Sequence, residues 1–536
     1  MTLRNVNNHD IVSAVDLGCQ TMSRVFNPDD NNIPYFGSEV LPNPKLFFSD
    51  RHSESHIPGR HLNALLTAKN IFGVDIEDSV INKHQKAAFF SFSGTLPFPL
   101  NRDRIDGELV NFNEHNFREG FHALYALIRY RNSNQAMDIL EDCIEKIFEL
   151  WDSKNGWNYG DIQKNFNLNI YPADHTFIEG LGRSIGPLVK IYDHTKFEPA
   201  IKLSRILVEK SINEFFNENG TYDIKTFGTH THSTTCVMSG IAQYADLLQD
   251  HLLFDRVKKF YDNGLWEIRD YIGWVIENSG EDSEPDRGEC NNTGDIIETA
   301  LLLAKNGYPD YYEDAERIIR CHLLPSQLRD NSFIPENSDN LEEDGYKNIA
   351  YRHLGAFGFP APYGHWPVDQ ILDSNLSLNS KKSADRISFN MDIVGGVIGS
   401  LCEVTKHVLI EEDNLYKINL FFNLPIKNKN IGIKFNETGN ETELKIINPK
   451  NIMLRIPSWA QKFPIEINGD VNYEMIDGYI KIYGLKTNQK IGIKFQLPNR
   501  KIVLNHRKRD IKVNLIGDNI ISMENFDSEL TFFPKI

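Results

Sequence analysis

The sequence predicts a mainly α-helical domain, an α/α toroid of the six-hairpin type, followed by an all-β domain that forms an antiparallel β-sandwich. Apolar residues recur with a helical period from about residue 55 to about residue 410, and with a period of two after about residue 411. Short loops between the helical segments favour antiparallel hairpins. No fixed repeat length runs through these hairpins, which argues against an α-solenoid. We therefore expect an α/α-barrel domain over residues 1–410 and a β-sandwich domain over residues 411–536.

Four segments of the first domain show the helical pattern best: residues 60–70, 117–130, 293–305 and 314–324. The most regular is 293–305, because its apolar positions form one stripe. Asn292 or Thr293 can cap this helix, and Gly307 ends it. Pro325 ends the helix that follows.

Six segments of the second domain alternate apolar and polar residues: 431–435, 443–447, 452–457, 465–469, 479–483 and 491–495. Turn signals, such as Asn448-Pro449 and Asn468-Gly469, separate them. Short strands at this spacing predict a sandwich. A helical toroid with a trailing sandwich is typical of enzymes that act on sugars, an analogy at the level of the fold.

The composition limits the partners of the chain. Of its 536 residues, 40% are hydrophobic and 24% are charged, as in folded globular domains. The formal net charge of -17 repels nucleic acid and anionic membrane surfaces, so we expect neither as a partner. No apolar stretch is long enough to predict a membrane span, and no pattern indicates an oligomeric state.

The cysteines and the first residues bear on localisation. Cysteines stand at positions 19, 143, 236, 290, 321 and 402, and no pair has the close spacing of a metal or redox motif. We expect reduced, mostly buried thiols. The first ten residues lack the apolar region of a signal peptide. Together these features predict a cytoplasmic protein.

A loop rich in carboxylates, from Glu277 to Asp295, leads directly into the regular helix. Glycosidic cleavage needs a protonated acid at the leaving oxygen and a second group as base or nucleophile. A helix N-terminus beside several carboxylates can hold them in different protonation states. Glu281 and Glu289 are the candidates, and Trp274 just upstream is a candidate for stacking on a sugar ring. The alternative is a solvated acidic loop.

Two further segments combine basic and acidic side chains. His115, Arg118, Glu119 and His122, with Glu114 just before them, share one face of a predicted helix. That face lines the central pit if it points inward, and is a solvated outer face otherwise. A second loop-to-helix junction, residues 53–60, carries the sugar-binding candidates His56 and Arg60.

His230 and His232 open another predicted helix. Two histidines at this spacing can bind metal, act as acid or base, or cap the helix. No third ligand at a recognisable spacing supports a metal, so we expect neither a metal site nor a cofactor. The sequence also contains no GxGxxG or Walker loop, no HExxH and no GxSxG, which argues against nucleotide cofactors, zinc peptidase chemistry and serine hydrolysis.

Several stretches resemble the β-L-arabinofuranosidase-like glycoside hydrolases of family 127. They are Glu-Cys-Asn-Asn-Thr-Gly-Asp at 289–295, Tyr-Glu-Asp-Ala-Glu-Arg at 312–317, Leu-Arg-Ile-Pro-Ser-Trp-Ala at 454–460, Ile-Asn-Gly at 467–469, and the passage from Gly-Gly at 395 to Leu-Phe-Phe at 420. The resemblance implies a toroid that passes into a sandwich, and a glycosidase activity.

The resemblance breaks at the family's zinc-thiolate site. That site uses a glutamate two residues before the helix-opening cysteine, and a later pair of adjacent cysteines. Here Gly288 stands two residues before Cys290, and the region of the pair reads Asn-Met-Asp-Ile-Val at 390–394, with Asp392 at its centre. The resemblance therefore implies that the zinc-cysteine centre is not preserved.

The resemblance also suggests roles for single residues. The family's acid/base glutamate lies upstream of the cysteine, where Glu281 is the nearest counterpart and Glu277 competes with it. Its histidines correspond to His122 or His115, and to His230 or His232.

The leading hypothesis is a glycosidase that releases a terminal sugar from an oligosaccharide or polysaccharide fragment. Glu281 or Glu289 would be the general acid, assisted by His230 and His232. The substrate-binding candidates are His56, Arg60, Glu114, His115, Arg118, His122, Trp274, Asp295 and Asp392. The basic members would suit a carboxylate or sulfate if the sugar is anionic. The alternatives are a lyase acting on a uronic acid and a non-catalytic sugar-binding protein.

Overall fold

The computed structural model describes residues 2–4, 6, 9–171, 176–280, 286–336, 342–365, 387–425, 428–505 and 510–536. Within these residues no helix is both long and apolar enough to cross a membrane. All six cysteines lie in the described ranges, and each is buried and free of a disulfide partner, as expected.

The described helices are numbered in chain order. They are α1 (Ile11–Met22), α2 (Ile57–Phe72), α3 (Asp78–Ser91), α4 (Phe117–Arg131), α5 (Asn134–Leu150), α6 (Tyr159–Phe166), α7 (Ile185–Thr195), α8 (Glu198–Glu214), α9 (Ile224–Phe227), α10 (Thr231–Leu248), α11 (His251–Asp262), α12 (Cys290–Lys305), α13 (Tyr311–Ile318), α14 (Ile349–His353) and α15 (Ile393–Val408). Short 3-10 turns cover Pro28–Asp30, Glu114–Asn116, Leu181–Ser184, Gly264–Glu267 and Asp344–Tyr346, and a π-helical turn covers Ile319–Leu323.

Six of the described helices close into an inner ring. Each packs on the next in the order α2, α4, α7, α10, α12 and α15, and α15 returns to α2. An outer layer covers the ring: α3, α5, α8, α11 and α13 pack on the inner helices that they follow in the chain, and α1 packs on α15. The predicted α/α toroid of six hairpins is confirmed.

The predicted helices are present, and helix α2 extends a few residues beyond its predicted range at both ends. Two further helices differ from the prediction at one end. Helix α12 begins at Cys290, before the predicted caps, because Glu289 is the N-cap residue with extended backbone. The predicted helix 314–324 is observed as α13 followed directly by the π-helical turn Ile319–Leu323. Arg320 in that turn donates to the carbonyl oxygens of Phe421 and Glu437, so the turn joins the toroid to the strands beyond it.

The described strands are also numbered in chain order. Those within the helical part are β1 (Phe26–Asn27), β2 (Ile33–Pro34), β3 (Gly37–Glu39), β4 (Lys45–Phe47), β5 (Asn101–Arg102), β6 (Leu109–Phe112), β7 (Trp151–Asp152), β8 (Gly156–Trp157) and β9 (Asn169–Ile170). Those after it are β10 (Leu409–Glu412), β11 (Leu415–Ile418), β12 (Ile431–Phe435), β13 (Glu441–Ile446), β14 (Asn451–Arg455), β15 (Ile465–Asn468), β16 (Asn472–Ile476), β17 (Tyr479–Tyr483), β18 (Lys490–Phe495), β19 (Asn499–Asn505), β20 (Asp510–Ile516) and β21 (Asn519–Met523).

Two sheets form the sandwich. The first has the order β10-β11-β14-β17-β16, and the second has the order β12-β13-β18-β15. Strand β11 pairs in parallel with β14, while the other pairs in these two sheets are antiparallel. Ile452 and Ile482 of the first sheet lie in the same buried core as Ile491 and Ile493 of the second. The alternation of apolar residues in these strands supplies that core, and the predicted sandwich is confirmed.

A third sheet, β19-β20-β21, packs on the helical part instead. Its Leu504 and Val513 share a core with Ile272, Leu328 and Tyr363. The switch from helix to strand lies between Val408 and Leu409. Packing, however, assigns the last three strands to the toroid side, which a boundary drawn from periodicity does not reveal.

A buried ion pair joins two of the stretches that resemble the glycoside hydrolase family. Glu316 of α13 accepts from Arg320 at 3.0 Å and pairs with Arg455 of β14, and the side chains are at most 6% exposed. Arg455 also donates to the carbonyl oxygen of Asn419. These residues, from the Tyr-Glu-Asp-Ala-Glu-Arg and Leu-Arg-Ile-Pro-Ser-Trp stretches, therefore fix the sandwich to the toroid.

Candidate active site

The inner helices all begin at the same mouth of the toroid. Their N-cap residues are His56, Asn116, Ser184, His230, Glu289 and Asp392. Side chains at or next to these positions meet in one group, which we call the mouth cluster: His56, Arg60, Arg118, Glu119, Arg183, His230, His232, Glu289, Asp295 and Asp392. Because helix N-termini carry partial positive charge, their convergence favours carboxylates and anionic ligands here.

Glycines allow the inner helices to approach closely at this mouth. A Cβ on Gly59 of α2 would lie 1.8 Å from the backbone oxygen of Glu119 in α4. A Cβ on Gly396 of α15 would lie 2.1 Å from the side-chain oxygen of Asn291 in α12. Only a hydrogen at these positions leaves room for the neighbouring helix.

Gly59→Ala is therefore expected to destabilise the protein by about 1–3 kcal/mol, the usual cost of overpacking. The matched control is Gly160→Ala in the exposed helix α6, where the nearest atom to a new Cβ is the Asn158 side-chain oxygen at 3.8 Å. Alanine is the better helix former, so the control should be neutral or stabilising. Urea unfolding of both variants tests this, and equal midpoints would contradict the proposed close contact.

Glu119 is the centre of the mouth cluster. Its Oε1 accepts from Arg60 at 3.1 Å, from Arg118 at 3.3 Å and from Arg183 at 3.0 Å. Its Oε2 lies 3.6 Å from Nδ1 of His56. Burial alone would raise the pKa of this carboxyl, but the charges of Arg183, His56, Arg60 and Arg118 outweigh it and hold the pKa well below its usual range. Glu119 is therefore an ionised, fully buried anchor for three guanidinium groups.

Asp392 and Asp295 extend the cluster on either side. Asp392 lies 3.0 Å from Nη1 of Arg60 and 3.3 Å from Nε2 of His56. Asp295 accepts from Arg118 at 3.3 Å and lies 3.3 Å from Nε2 of His232. Burial raises the pKa of Asp295 to about 6, even with Arg118 and Arg60 nearby. Both residues were predicted to bind substrate; Asp295 lies beside the catalytic candidate His232, whereas Asp392 lies beside His56 and Arg60.

Glu289 stands between the two predicted catalytic histidines. Its Oε2 lies 3.7 Å from Nε2 of His230, and its Oε1 lies 3.6 Å from Nδ1 of His232. Burial would raise the pKa of Glu289, but His232, His230 and Arg60 lower it to about 2. Burial holds the pKa of His232 well below its usual range, and Arg60, Arg183 and Arg118 add to this effect. An ionised carboxylate thus faces a neutral imidazole.

The opening of the site lies over His230. Its side chain is 32% exposed, whereas those of His232 and Glu289 are 2% and 7% exposed. The ring of His115 lies between His230 and His56, with centroids 5.2 Å and 5.7 Å away. Of His230, His232 and Glu289, the imidazole of His230 is therefore the group most accessible to solvent.

His230, His232 and Glu289 are also able to hold a metal ion, since one ligand atom from each lies within 4.8 Å of the others. Sequence spacing does not reveal this set, because its third member follows His232 only after a long intervening stretch of chain. The sequence contains one signal for it, since the histidine pair and Glu289 both lie at starts of helices. In a toroid whose inner helices begin at one mouth, such positions come together.

Two predicted substrate-binding residues have structural roles. Trp274 is 2% exposed and donates from its indole nitrogen to the carbonyl oxygen of Pro360 at 2.8 Å, so it is not available to stack on a sugar. Glu114 is buried, and its carboxylate accepts from Trp157 at 2.8 Å and from Tyr159 at 3.0 Å. Both side chains are covered by the fold, which gives no support to their predicted contacts with substrate.

Other predicted residues fall outside the mouth cluster. His122 lies one helical turn beyond Arg118 on α4 and is 7% exposed, facing a small internal cavity together with Lys190. Glu281 lies outside the described residues. The described residues before it are beside the site, since Asn278 pairs with His230 through a β-bridge and Ser279 donates to the carbonyl oxygen of Thr229.

Arg183 was not predicted at all. It precedes α7 in the 3-10 turn Leu181–Ser184, is 1% exposed and donates to Glu119 and to the carbonyl oxygen of His115. Its only signal in the sequence is its place before a helix, which gives no reason to single it out from other arginines.

Comparison with known proteins establishes the fold class. No protein-family model matches the sequence, and no curated protein matches it either. Solved structures do match it, and the likeness is one of fold.

Among those structures are two described as family 127 enzymes. A β-L-arabinofuranosidase from Geobacillus stearothermophilus T6 is 12% identical, with 86% of this chain and 75% of that chain covered and a TM-score of 0.55. A β-arabinofuranosidase of the same family is 11% identical, with 96% and 81% covered and a TM-score of 0.57. A third structure, described as a glycoside hydrolase, is 10% identical, with 90% and 83% covered and a TM-score of 0.56. The predicted resemblance is confirmed as a likeness of fold.

Proposed function

We propose that the protein is a carbohydrate-active enzyme, a glycoside hydrolase that releases a terminal sugar from an oligosaccharide at the mouth of the toroid. The observation that carries the proposal is the position of the ionised Glu289 between His230 and His232, at the point where the inner helices begin. A buried carboxylate with a lowered pKa, next to a partly exposed histidine, is typical of a functional site.

Glu289 acts in this proposal as an ionised group, and not as the general acid that the sequence suggested. A carboxyl with a pKa of about 2 holds no proton to donate near neutral pH. Its charge instead suits attack on the sugar, activation of water, or stabilisation of the positive charge that develops at the anomeric carbon. Glu281 then remains the predicted proton donor, because the described residues that precede it lie beside His230.

Substrate hydroxyls are expected to meet the rings of His230 and His115, which border the opening. Arg118 is the most exposed guanidinium of the mouth cluster, at 14%, and is the basic residue that an anionic group on the sugar could reach.

The paired arginines argue against the alternative of a uronic-acid lyase. Elimination needs a group that neutralises the substrate carboxylate, in addition to a base. Arg60 and Arg183 are buried against Glu119, and Arg118 would have to bind a uronate while it also pairs with Glu119 and Asp295.

A screen of oligosaccharides read by product mass tests the proposal. The panel should include β-L-arabinofuranosides, because structures of the same fold carry that activity in their descriptions. Hydrolysis is expected, seen as products that together gain one water. Products without added water, one of them unsaturated, would indicate a lyase instead. Binding without turnover across the panel would indicate a sugar-binding protein and overturn the proposal.

A further inference from the structure

We propose that His230, His232 and Glu289 bind one divalent transition-metal ion at the mouth of the toroid, with zinc as the ion that this ligand set fits. The site is the one used in the proposed function. Metal binding, however, is measured without substrate, so the two proposals can fail separately.

The spacing of the three residues is that of ligands around an ion. Glu289 lies 3.7 Å from His230 and 3.6 Å from His232, which is too long for direct hydrogen bonds. Zinc bonds of about 2.0–2.1 Å in a tetrahedron place neighbouring ligand atoms about 3.4 Å apart. A small inward movement of each side chain would therefore complete the coordination.

Each ligand is oriented by a second contact on its other side. Nδ1 of His230 lies 2.9 Å from the hydroxyl of Ser233, which leaves Nε2 directed at Glu289. Nε2 of His232 lies 3.3 Å from Asp295 without forming a hydrogen bond to it, and Nδ1 is directed at Glu289. Oε1 of Glu289 accepts from Asn291 at 2.8 Å. Histidines that bind metals are usually held in this way, and a carboxylate or hydroxyl fixes which ring nitrogen carries the proton.

The protons of His232 give an independent reason for a cation. A neutral imidazole has one N–H and one lone pair, yet both ring nitrogens of His232 face carboxylate oxygens. Whichever ring nitrogen carries the N–H, the lone pair of the other one faces a carboxylate oxygen. A metal ion between Nδ1 and Glu289 removes that repulsion.

The charge of the mouth cluster also accommodates a cation. Among its described side chains it holds four carboxylates and three guanidinium groups, so carboxylates outnumber guanidinium groups by one. That excess of carboxylates favours a cation over a further anion. Three protein ligands leave one position for water or a sugar hydroxyl, and zinc lowers the pKa of a water bound there.

The proposed site contains no sulfur. Cys290 follows Glu289 directly, but its side chain is fully buried. No cysteine belongs to the group of possible metal ligands in the described residues. The zinc-thiolate centre of the resembling family therefore does not fit this chain, whereas a histidine and carboxylate set does.

The test is a titration of the chelator-treated full-length protein with zinc chloride, measured by isothermal calorimetry. The absorption spectrum of the cobalt(II) form is recorded as well. One zinc per chain is expected, and His230→Ala, His232→Ala and Glu289→Gln should each bind at least about 100-fold more weakly. Asp295→Asn should weaken binding about 10–100-fold, because it only orients a ligand. Cobalt should show the visible bands of tetrahedral nitrogen and oxygen coordination, without sulfur charge transfer.

Two controls separate this site from others. His251→Ala, an exposed histidine at the start of the outer helix α11, and Cys290→Ser should both bind zinc as the wild type does. Circular dichroism confirms that each variant is folded. The proposal is overturned if the wild-type protein binds no zinc, if binding persists in all three ligand variants, or if Cys290→Ser abolishes it. Turnover by a protein that binds no zinc would leave the proposed function standing and remove the metal.

Discussion

Replacing Glu289 with glutamine is expected to lower kcat about 10²–10⁴-fold while substrate binding changes little. Glutamine keeps the size of the side chain and its contact with Asn291, but it removes the charge that faces His230 and His232. The measurement is steady-state kinetics on the best substrate from the oligosaccharide screen. Glu443→Gln, on an exposed position of β13, is the control and should retain normal turnover.

The leaving group of the substrate separates Glu289 from the predicted proton donor. Loss of a general acid matters less when the leaving group needs no protonation, so the defect of Glu281→Gln should shrink on aryl glycosides. The defect of Glu289→Gln should persist on them, because the ionised group acts on the sugar and not on the leaving oxygen. Near-normal turnover by Glu289→Gln on both substrates would place the chemistry elsewhere.

Glu119→Gln is expected to cost about 3–5 kcal/mol of folding stability, the usual effect of removing one partner from a buried ion pair. Arg60, Arg118 and Arg183 would lose the carboxylate that neutralises them, in a part of the protein where their side chains are at most 14% exposed. Urea unfolding at pH 7 measures the loss. Glu474→Gln on the edge strand β16, whose partner Lys481 is 37% exposed, should have a far smaller effect.

The difference in the free energy of unfolding between the wild-type protein and Glu119→Gln should depend on pH. The pKa of Glu119 in the folded protein lies well below its ordinary value of 4.5, since four basic side chains outweigh its burial. Its contribution to stability is therefore fully present above that ordinary value, and is lost as the pH falls through the folded pKa. The difference in the free energy of unfolding should therefore be smaller at about pH 3 than at pH 7. A constant gap would show that Glu119 acts through packing alone.

Periodicity was sufficient to predict the architecture. The strands β12, β15, β17 and β18 match predicted segments closely, and α4 matches residues 117–130 to within one residue. What it missed are features set by tertiary contacts. The sheet of β19, β20 and β21 lies beyond the six predicted segments, and only its packing on Ile272 and Leu328 shows which side it belongs to.

The candidate site was predicted in part. His56, Arg60, Arg118, His230, His232, Glu289, Asp295 and Asp392 were singled out, and the structure brings them together. Their individual roles did not follow from the sequence, because charge state depends on neighbours distant in the chain. Glu289 looked like an acid in a carboxylate-rich loop, yet two histidines and Arg60 keep it ionised. Trp274 was a candidate for stacking on a sugar ring, yet its side chain is buried and its indole nitrogen donates to the carbonyl oxygen of Pro360.

The position of the third sheet has a consequence for how the chain folds during synthesis. The core that holds Ile57 and Ile272 of the toroid also holds Leu515, Phe532 and Phe533, which leave the ribosome long after the inner helices. The backbone N–H of Leu3 donates to the carbonyl oxygen of Thr531, so this contact of an early residue forms only after a late residue has been synthesised. The ring can therefore collapse early but cannot finish packing until the strands beyond the sandwich are made. A nascent toroid would keep this apolar side exposed throughout that interval, which is when it most needs a chaperone.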